Sequence, residues 1–214
     1  MRNVPEPSRA ASAGSMVLDG FGLRLEPLAE AHADDLLAAA ADGALWTLNY
    51  TSVPGPDLAS VRDYVRIALE GRTSGTMLPF VVVAEGSVVG CTRYYDIDRS
   101  VPTLAIGYTW YAARVQRTHV NTACKRLLLG HAFESLRMRT VYFHTSHVNL
   151  RSQAAIERLG AHRDGLLRQH KRHRDGGLRD TIVYSILDGE WPDCRKRLDA
   201  RLRSDDATVP APVG

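Results

Sequence analysis

Between Thr103 and Leu136 the apolar pattern changes its period, and that change limits the possible folds more than any other feature of the chain. The run TLAIGYTWY is dense in β-branched and aromatic residues, whereas TACKRLLLGHAFESL repeats Cys124, Leu127, Leu128, Ala132 and Leu136 at three- and four-residue steps. A strand followed by a helix from about Thr122 to Leu136 is therefore predicted. Arg114, Arg117, Lys125 and Arg126 crowd the connection and the helix start, and no acidic residue lies between 113 and 126. The positive end of a helix dipole disfavours each such cation by about 0.3–1 kcal/mol. An anion held there by the unpaired first amides removes the penalty. A solvated basic face screened by salt is the alternative.

The remaining segments build outward from this pair. LRLEPL, Leu23 to Leu28, alternates as a strand does, and AEAHADDLLAAAA has helical composition. In PDLASVRDYVRIALEG, residues Leu58, Val61, Val65, Ala68 and Leu69 share one helical face, with Asp57 as N-cap. MLPFVVVAEGSVVGCTRYYDID reads as two strands joined by a tight turn at Glu85–Gly86. TVYFHT is another strand, and RSQAAIERLG a short helix closed by Gly160. GLLRQHKRH, the turn RDGG and LRDTIVYSIL form a hairpin, and WPDCRKRLDARLR a last helix with Pro192 near its start. This order predicts an α/β fold, a mixed sheet with helices on both faces.

A chain of 214 residues suits one domain, expected over 16–203, with disordered tails at 1–15 and 204–214. The 27 basic and 24 acidic side chains leave a net charge of +3, too small to mark a nucleic-acid binder by itself. Cys91, Cys124 and Cys194 are widely spaced, which argues against a disulfide framework and for a reducing, cytoplasmic setting. No apolar run approaches the ~20 residues of a membrane span, and MRNVPEPSRAASAGS lacks the apolar core of a signal peptide.

Taken together, IGYTW, QRTHVN and NLRSQAAIERLGA make the chain resemble the GNAT superfamily of acyl-CoA-dependent N-acyltransferases, in its RimJ/RimL-type branch. The likeness spans about 17 to 200, and its most specific part is the Asn-x-x-Ser pattern of Asn149 and Ser152 with Gly160 after it. The resemblance implies a sheet splayed at its centre and a pyrophosphate loop from Gln116 through Arg117, Thr118, His119 and Val120 to Asn121, with Thr122 at the helix start. Trp110, on the strand that flanks the pantetheine arm, and Asn149 would join them in cofactor binding. Asn149 offers a donor and an acceptor near the thioester, and Ser152 would protonate the departing thiolate. As a plain helix residue Ser152 would instead be the N-cap of the helix that follows.

Four residues depart from the family pattern. His119 stands where the loop has a Gly, which implies strain or positive φ, and its ring would occupy space meant for phosphate. Asn121 replaces a small residue. Ala105 and Ala123 replace the carboxylates expected just before IGY and on the helix, so the usual proton acceptor for the amine is gone. His144, Tyr108, His147, Asp96 and Asp98 remain as substitutes, with Tyr108 equally suited to core packing. Because residues three apart on a strand face opposite sides, His144 and His147 are not expected to share a metal.

A second basic cluster runs through Arg158, Arg163, Arg168, Lys171, Arg172 and Arg174, opposed there only by Asp164. It suits a cofactor phosphate, an acidic substrate or an RNA backbone, or is simply surface. Three functions follow as expectations. In the first, acetyl-CoA or another acyl-CoA acylates a primary amine of a small molecule, peptide or protein N-terminus. In the second, aminoacyl-tRNA replaces the thioester, with Arg114, Lys125, Arg126, Arg168, Lys171 and Arg172 contacting anion or RNA. In the third, the fold persists as a binding module without chemistry. Trp46, Tyr50 and Tyr95 are candidates for the acceptor pocket. No metal is expected, and nothing in the chain specifies an oligomeric state.

Overall fold

The structure, a computed structural model, describes residues 16–206. Its strands are β1 (Leu18–Gly20), β2 (Leu23–Pro27), β3 (Met77–Ala84), β4 (Ser87–Asp98), β5 (Thr103–Tyr111), β6 (Thr140–Ser146), β7 (His162–Arg172) and β8 (Leu178–Leu187). The helices are α1 (Ala33–Ala41), α2 (Leu58–Thr73), α3 (Val120–Gly130), α4 (Leu150–Glu157) and α5 (Trp191–Asp206). One sheet contains all eight described strands in the order β1-β2-β3-β4-β5-β6-β8-β7. Every neighbouring pair is antiparallel except β5 and β6.

Local chemistry explains the element ends. Asp57 caps α2 by accepting a 2.8 Å bond from the Ser60 amide. Glu85 and Gly86 both have positive φ (51° and 73°), the double left-handed turn that suits the twist of the β3–β4 hairpin. Alternation along the strands sends Phe80 and Val82 to one core and Val81 to the other. The first core is covered by α3 and α5 through Cys124, Leu128, Leu129, Leu198 and Leu202. The second is covered by α1 and α2 through Leu36, Ala40, Val61 and Val65. The expected mixed sheet with helices on both faces is thus present.

The sheet opens at its centre. Strands β5 and β6 pair only at Thr103↔Thr140, Leu104↔Val141 and Ala105↔Tyr142, and then diverge. A bulge in β5 sits beside the opening: Cys91 faces Trp110 and Arg93 faces Gly107, so Tyr108 and Thr109 oppose Thr92 alone. Tyr108 takes φ 52° there, an uncommon conformation for an aromatic residue and one that bends the strand. The neighbouring strand accommodates the bend because Gly90 has no side chain; a Cβ there would overlap the carbonyl oxygen of Trp110.

Several boundaries differ from expectation. Helix α3 begins two residues before Thr122, at Val120, because Thr118 and His119 supply its first turn. It ends at Gly130, and His131–Ser135 continue as a wider π-type turn. Strand β1, only three residues long, was not anticipated. Helix α5 runs through Asp206, so Ser204, Asp205 and Asp206 belong to it and not to a tail; the rest of the expected tails lies outside the described residues.

Candidate active site

The divergence of β5 and β6 leaves a cleft of about 530 Å³. Its walls come from Ile106 to Tyr111 of β5, Phe143 to Ser146 of β6, Asn121 and Lys125 of α3, and Asn149 and Ser152 near the start of α4. Residues 48–53 and the β7–β8 hairpin close the far side. Among the described residues no Asp or Glu lines it. Ala105 and Ala123, at 1% and 0% exposure, are packed in the core, so neither leaves room for the carboxylate that the resemblance implies.

One titratable pair stands inside. The Tyr95 hydroxyl lies 2.9 Å from His144 Nδ1, and the His144 ring stacks on Tyr142. Tyr108 meets Tyr95 edge to face with centroids 5.2 Å apart. Burial lowers the His144 pKa below the ordinary histidine value, and the charge of Lys171 lowers it further, against a weaker pull from Asp96. Burial likewise raises the Tyr95 pKa. At neutral pH this leaves a neutral imidazole beside a protonated phenol. Asp98 is engaged elsewhere, accepting bonds from Ser100 and Val101 at the β4–β5 turn. Asp96 is exposed, and His147 lies beyond the end of β6. Among the described residues no group of three or more His, Cys, Asp or Glu could hold a metal.

The basic loop does not behave as a uniform anion site. Arg114 pairs with Asp42 at 3.2 Å, and its amide donates to the same carboxylate. Arg126 binds Asp199 of α5 at 2.6 Å and lies over Trp191, which makes it a tie between helices. Lys125 lies within the cleft wall and not on a solvated basic face: it is 6% exposed and its Nζ donates to Thr109 Oγ1 at 2.9 Å. Burial lowers its pKa. Arg117 alone of the four is an exposed cation without an ion pair among the described residues.

His119 also departs from expectation. Its φ of −62° and ψ of −19° are ordinary right-handed values, and Arg117, at φ 65°, carries the left-handed turn instead. The His119 ring leans toward the β1–β2 turn, its Nε2 about 4.0 Å from a Cβ placed on Gly22. Above it the helix ladder starts with Ala123 N donating to His119 O, which leaves the amides of residues 120–122 ahead of the ladder. Thr118 Oγ1 accepts weakly from Val120 N at 3.3 Å, and the amides of Asn121 and Thr122 have no acceptor among the described residues. Gln116 and Asn121 reach the cleft; Gln116 is held by its bond to the Tyr111 carbonyl at 2.9 Å.

At the other helix the roles of two residues exchange. Asn149, not Ser152, caps α4: its Oδ1 accepts from the Ser152 amide at 3.1 Å. Its acceptor is therefore used by the fold, while Ser152 lines the cleft with its hydroxyl unpartnered among the described residues. The Trp110 indole is buried against α2, donating to the Tyr64 hydroxyl at 3.3 Å, so only its backbone is available to a ligand. In the second basic cluster Lys171, Arg172 and Arg174 line the cleft, whereas Arg168 is exposed on β7 away from it. Tyr50 and Tyr95 also line it; Trp46 contributes its carbonyl to Arg174 instead.

Arg93 is a feature that sequence reasoning missed. It is 1% exposed, sandwiched between the Tyr64 and Tyr108 rings at 4.8 and 4.2 Å, with Nε and Nη2 unpaired among the described residues. Only the position of an arginine midway along the apolar part of β4 hinted at it.

A mixed sheet parted beside a bulged strand, with a helix start presenting free amides next to the parting, defines the scaffold of an acyl-group transferase. The chain belongs to the GNAT acetyltransferase family, whose acetyltransferase (GNAT) domain matches residues 22–162. It is similar to an acetyltransferase of T. thermophilus, with 32% identity, TM-score 0.77 and coverage of 94% of this chain and 100% of the other. A GCN5-related N-acetyltransferase from Brucella melitensis follows at 28% identity, TM-score 0.77 and coverage of 92% and 87%. RimJ of Mycobacterium smegmatis, in complex with CoA-disulfide, shares the fold at 21% identity and TM-score 0.74, covering 86% and 91%. That likeness is one of fold. No curated protein sequence matches the chain. No described helix is long and apolar enough to cross a membrane.

Proposed function

We propose that the protein transfers an acyl group from acetyl-CoA or another acyl-CoA to a primary amine of a small molecule or a peptide N-terminus. The observation that carries this reading is the parting of β5 from β6. Beyond Ala105 the β5 backbone has no partner in β6, and an extended, amide-bearing arm can pair with it as an added strand would. The free amides of Asn121 and Thr122 and the exposed Arg117 suit the pyrophosphate; Gln116 and Asn149 would flank the arm. The bound thioester supplies the activated acyl group.

Within that frame His144 is the base. In the tautomer whose Nδ1–H donates to the Tyr95 oxygen across their 2.9 Å contact, Nε2 keeps its lone pair and removes a proton from the amine, directly or through water. A backbone N–H of β5 beside the bulge would steady the oxyanion, and Ser152 would pass its proton to the leaving sulfur and regain one, through solvent, from the His144 protonated by the amine. Tyr108 holds the Tyr95 ring and acts through it. The aminoacyl-tRNA alternative rests on the altered loop, the missing carboxylates and the two basic clusters as a path for a phosphate backbone. With Arg114 and Arg126 paired internally and Arg168 facing away, the observations favour the thioester.

Calorimetry with acetyl-CoA and mass spectrometry of an amine panel test this. Saturable acetyl-CoA binding and mass gains of one acetyl group are expected. A protein that binds no acyl-CoA yet acylates amines in an RNase-sensitive reaction would reverse the choice of donor.

A further inference from the structure

The cleft carries a charge imbalance that acyl transfer alone does not require. Lys125, Arg151, Lys171, Arg172, Arg174 and Arg179 line it, and among the described residues no carboxylate does. Two of these cations are set directly against each other: Lys171 and Arg179 are opposite residues across β7 and β8. Like charges so placed destabilise a hairpin. The local sequence does not avoid the conflict but builds it. A bulge between Leu167 and Lys171, with Gln169 at φ 50°, turns the end of β7 toward the cleft.

Of the nearby carboxylates, Asp96 acts on His144 from outside the cleft lining, and Asp180 and Asp175 are committed to the framework. Asp180 fixes the bulge by accepting from the Gln169 amide at 2.8 Å. Asp175 accepts from Asn49 Nδ2 and from the Gly177 amide. Arg174 is likewise structural, its guanidinium donating to the carbonyls of Trp46 and Val53. Arg172 donates to the Gly176 carbonyl. That leaves Lys171 and Arg179, paired across the hairpin, and the exposed Arg151 of α4 at the cleft without an acid partner among the described residues, and of the three only Arg179 has a buried nitrogen, its Nε, without an acceptor there. Lys171 and Arg179 both act electrostatically on His144.

Resting on the acyltransfer reading above, we infer that the acceptor is an amine bearing an oxyanion group, carboxylate or phosphate, which docks between Lys171 and Arg179 and so delivers the nitrogen to His144. The anion removes the repulsion between the two cations and satisfies Arg179. An arginine opposite a lysine accepts either a planar carboxylate or a phosphate. Polycationic amines are repelled.

Initial rates with saturating acetyl-CoA test the assignment on paired acceptors: β-alanine against its isostere β-alaninamide, O-phosphoethanolamine against ethanolamine, and putrescine as the cation. The anionic member of a pair should be used at least tenfold better, and whichever pair responds separates carboxylate from phosphate. The double variant K171Q/R179Q should raise the KM of that acceptor tenfold or more while the acetyl-CoA Kd stays within twofold; R179K alone should recover part of the loss. Because the substitutions relieve repulsion, the variant should melt no lower than the parent, which excludes misfolding as the cause. Neutral or cationic amines used equally well would overturn the inference. So would a loss that falls on acetyl-CoA affinity, since the cations would then serve the donor. If none of these amines turns over, calorimetry of the acetyl-CoA complex with malonate and with inorganic phosphate decides. Binding of either that K171Q/R179Q abolishes supports the site, and no binding at millimolar anion refutes it. Failure of acetyl-CoA itself to bind, with anion binding intact, would strike the donor reading and leave the anion site standing.

Discussion

His144 and Lys125 show how two basic side chains acquire opposite duties from burial. A histidine whose pKa is depressed is already neutral at pH 7, so the acid limb of kcat/KM should fall below the ordinary histidine value of 6.5, with a plateau through neutrality. His144→Gln should lower kcat by about 10²–10⁴-fold with acetyl-CoA affinity kept, and Tyr95→Phe should displace the limb without abolishing the rate. Stopped-flow or coupled rates across pH 5 to 9 would check both. Lys125 has no carboxylate partner among the described residues and bears the desolvation cost of its charge. Folded Lys125 releases its proton below the ordinary 10.5, whereas the unfolded chain keeps it. Across that window the unfolded state binds more protons, so the penalty is full below the folded pKa and stability rises with pH through it. Lys125→Met should remove this slope and raise stability at pH 7 by roughly 1–3 kcal/mol, measured by urea unfolding. Thr109 keeps its 2.8 Å bond to Thr92 in the variant.

Among elements, the loop before α3 and the bulged strand β5 carry the positional demands. Arg117 rather than His119 takes the left-handed conformation, so Arg117→Gly should stabilise the fold by about 1 kcal/mol, seen as a higher Tm, whereas His119→Gly should not. At the bulge the reverse holds: Gly90→Ala forces the Trp110 carbonyl to move and should cost about 1–3 kcal/mol or more, with loss of acetyl-CoA binding because the β4–β5 register shifts. The strands and helices were legible in periodicity, since Cys124, Leu128 and Ala132 or the alternation of β3 report burial directly. The parting itself entered only through family likeness; no residue pattern tells that β5 stops pairing after Ala105. Side-chain destinations were less legible still. Asn149 and Ser152 are both good caps, and only the backbone at 149 decides between them. Lys125 adjoins the buried stripe, but Thr109, the group that receives its ammonium, is sixteen residues away in sequence. Strand β1 was missed because three residues are too few to show a period.

Taken as a whole, the molecule is two sheet halves that share three residue pairs at one end, with the core beneath α3 and α5 running across both. The backbone amides of β5 past Ala105 that face the parting should exchange with deuterium faster than those of Leu104 and Ala105, despite similar burial of the strand. Saturating acetyl-CoA should slow them selectively while the β2–β3–β4 amides are unchanged, as hydrogen-exchange mass spectrometry would report. Uniform slowing across the molecule, or none at the parting, would place the ligand elsewhere.

The three-pair seam between Ala105 and Thr140 has a mechanical meaning as well. A guest lying along β5 becomes in effect a ninth strand, knitting the two half-sheets into a continuous fabric for as long as it stays. Each turnover would then stitch and unpick the scaffold at the parting, so that release of the spent carrier is a small act of local unzipping and the stiffness of that seam alone rises and falls with it.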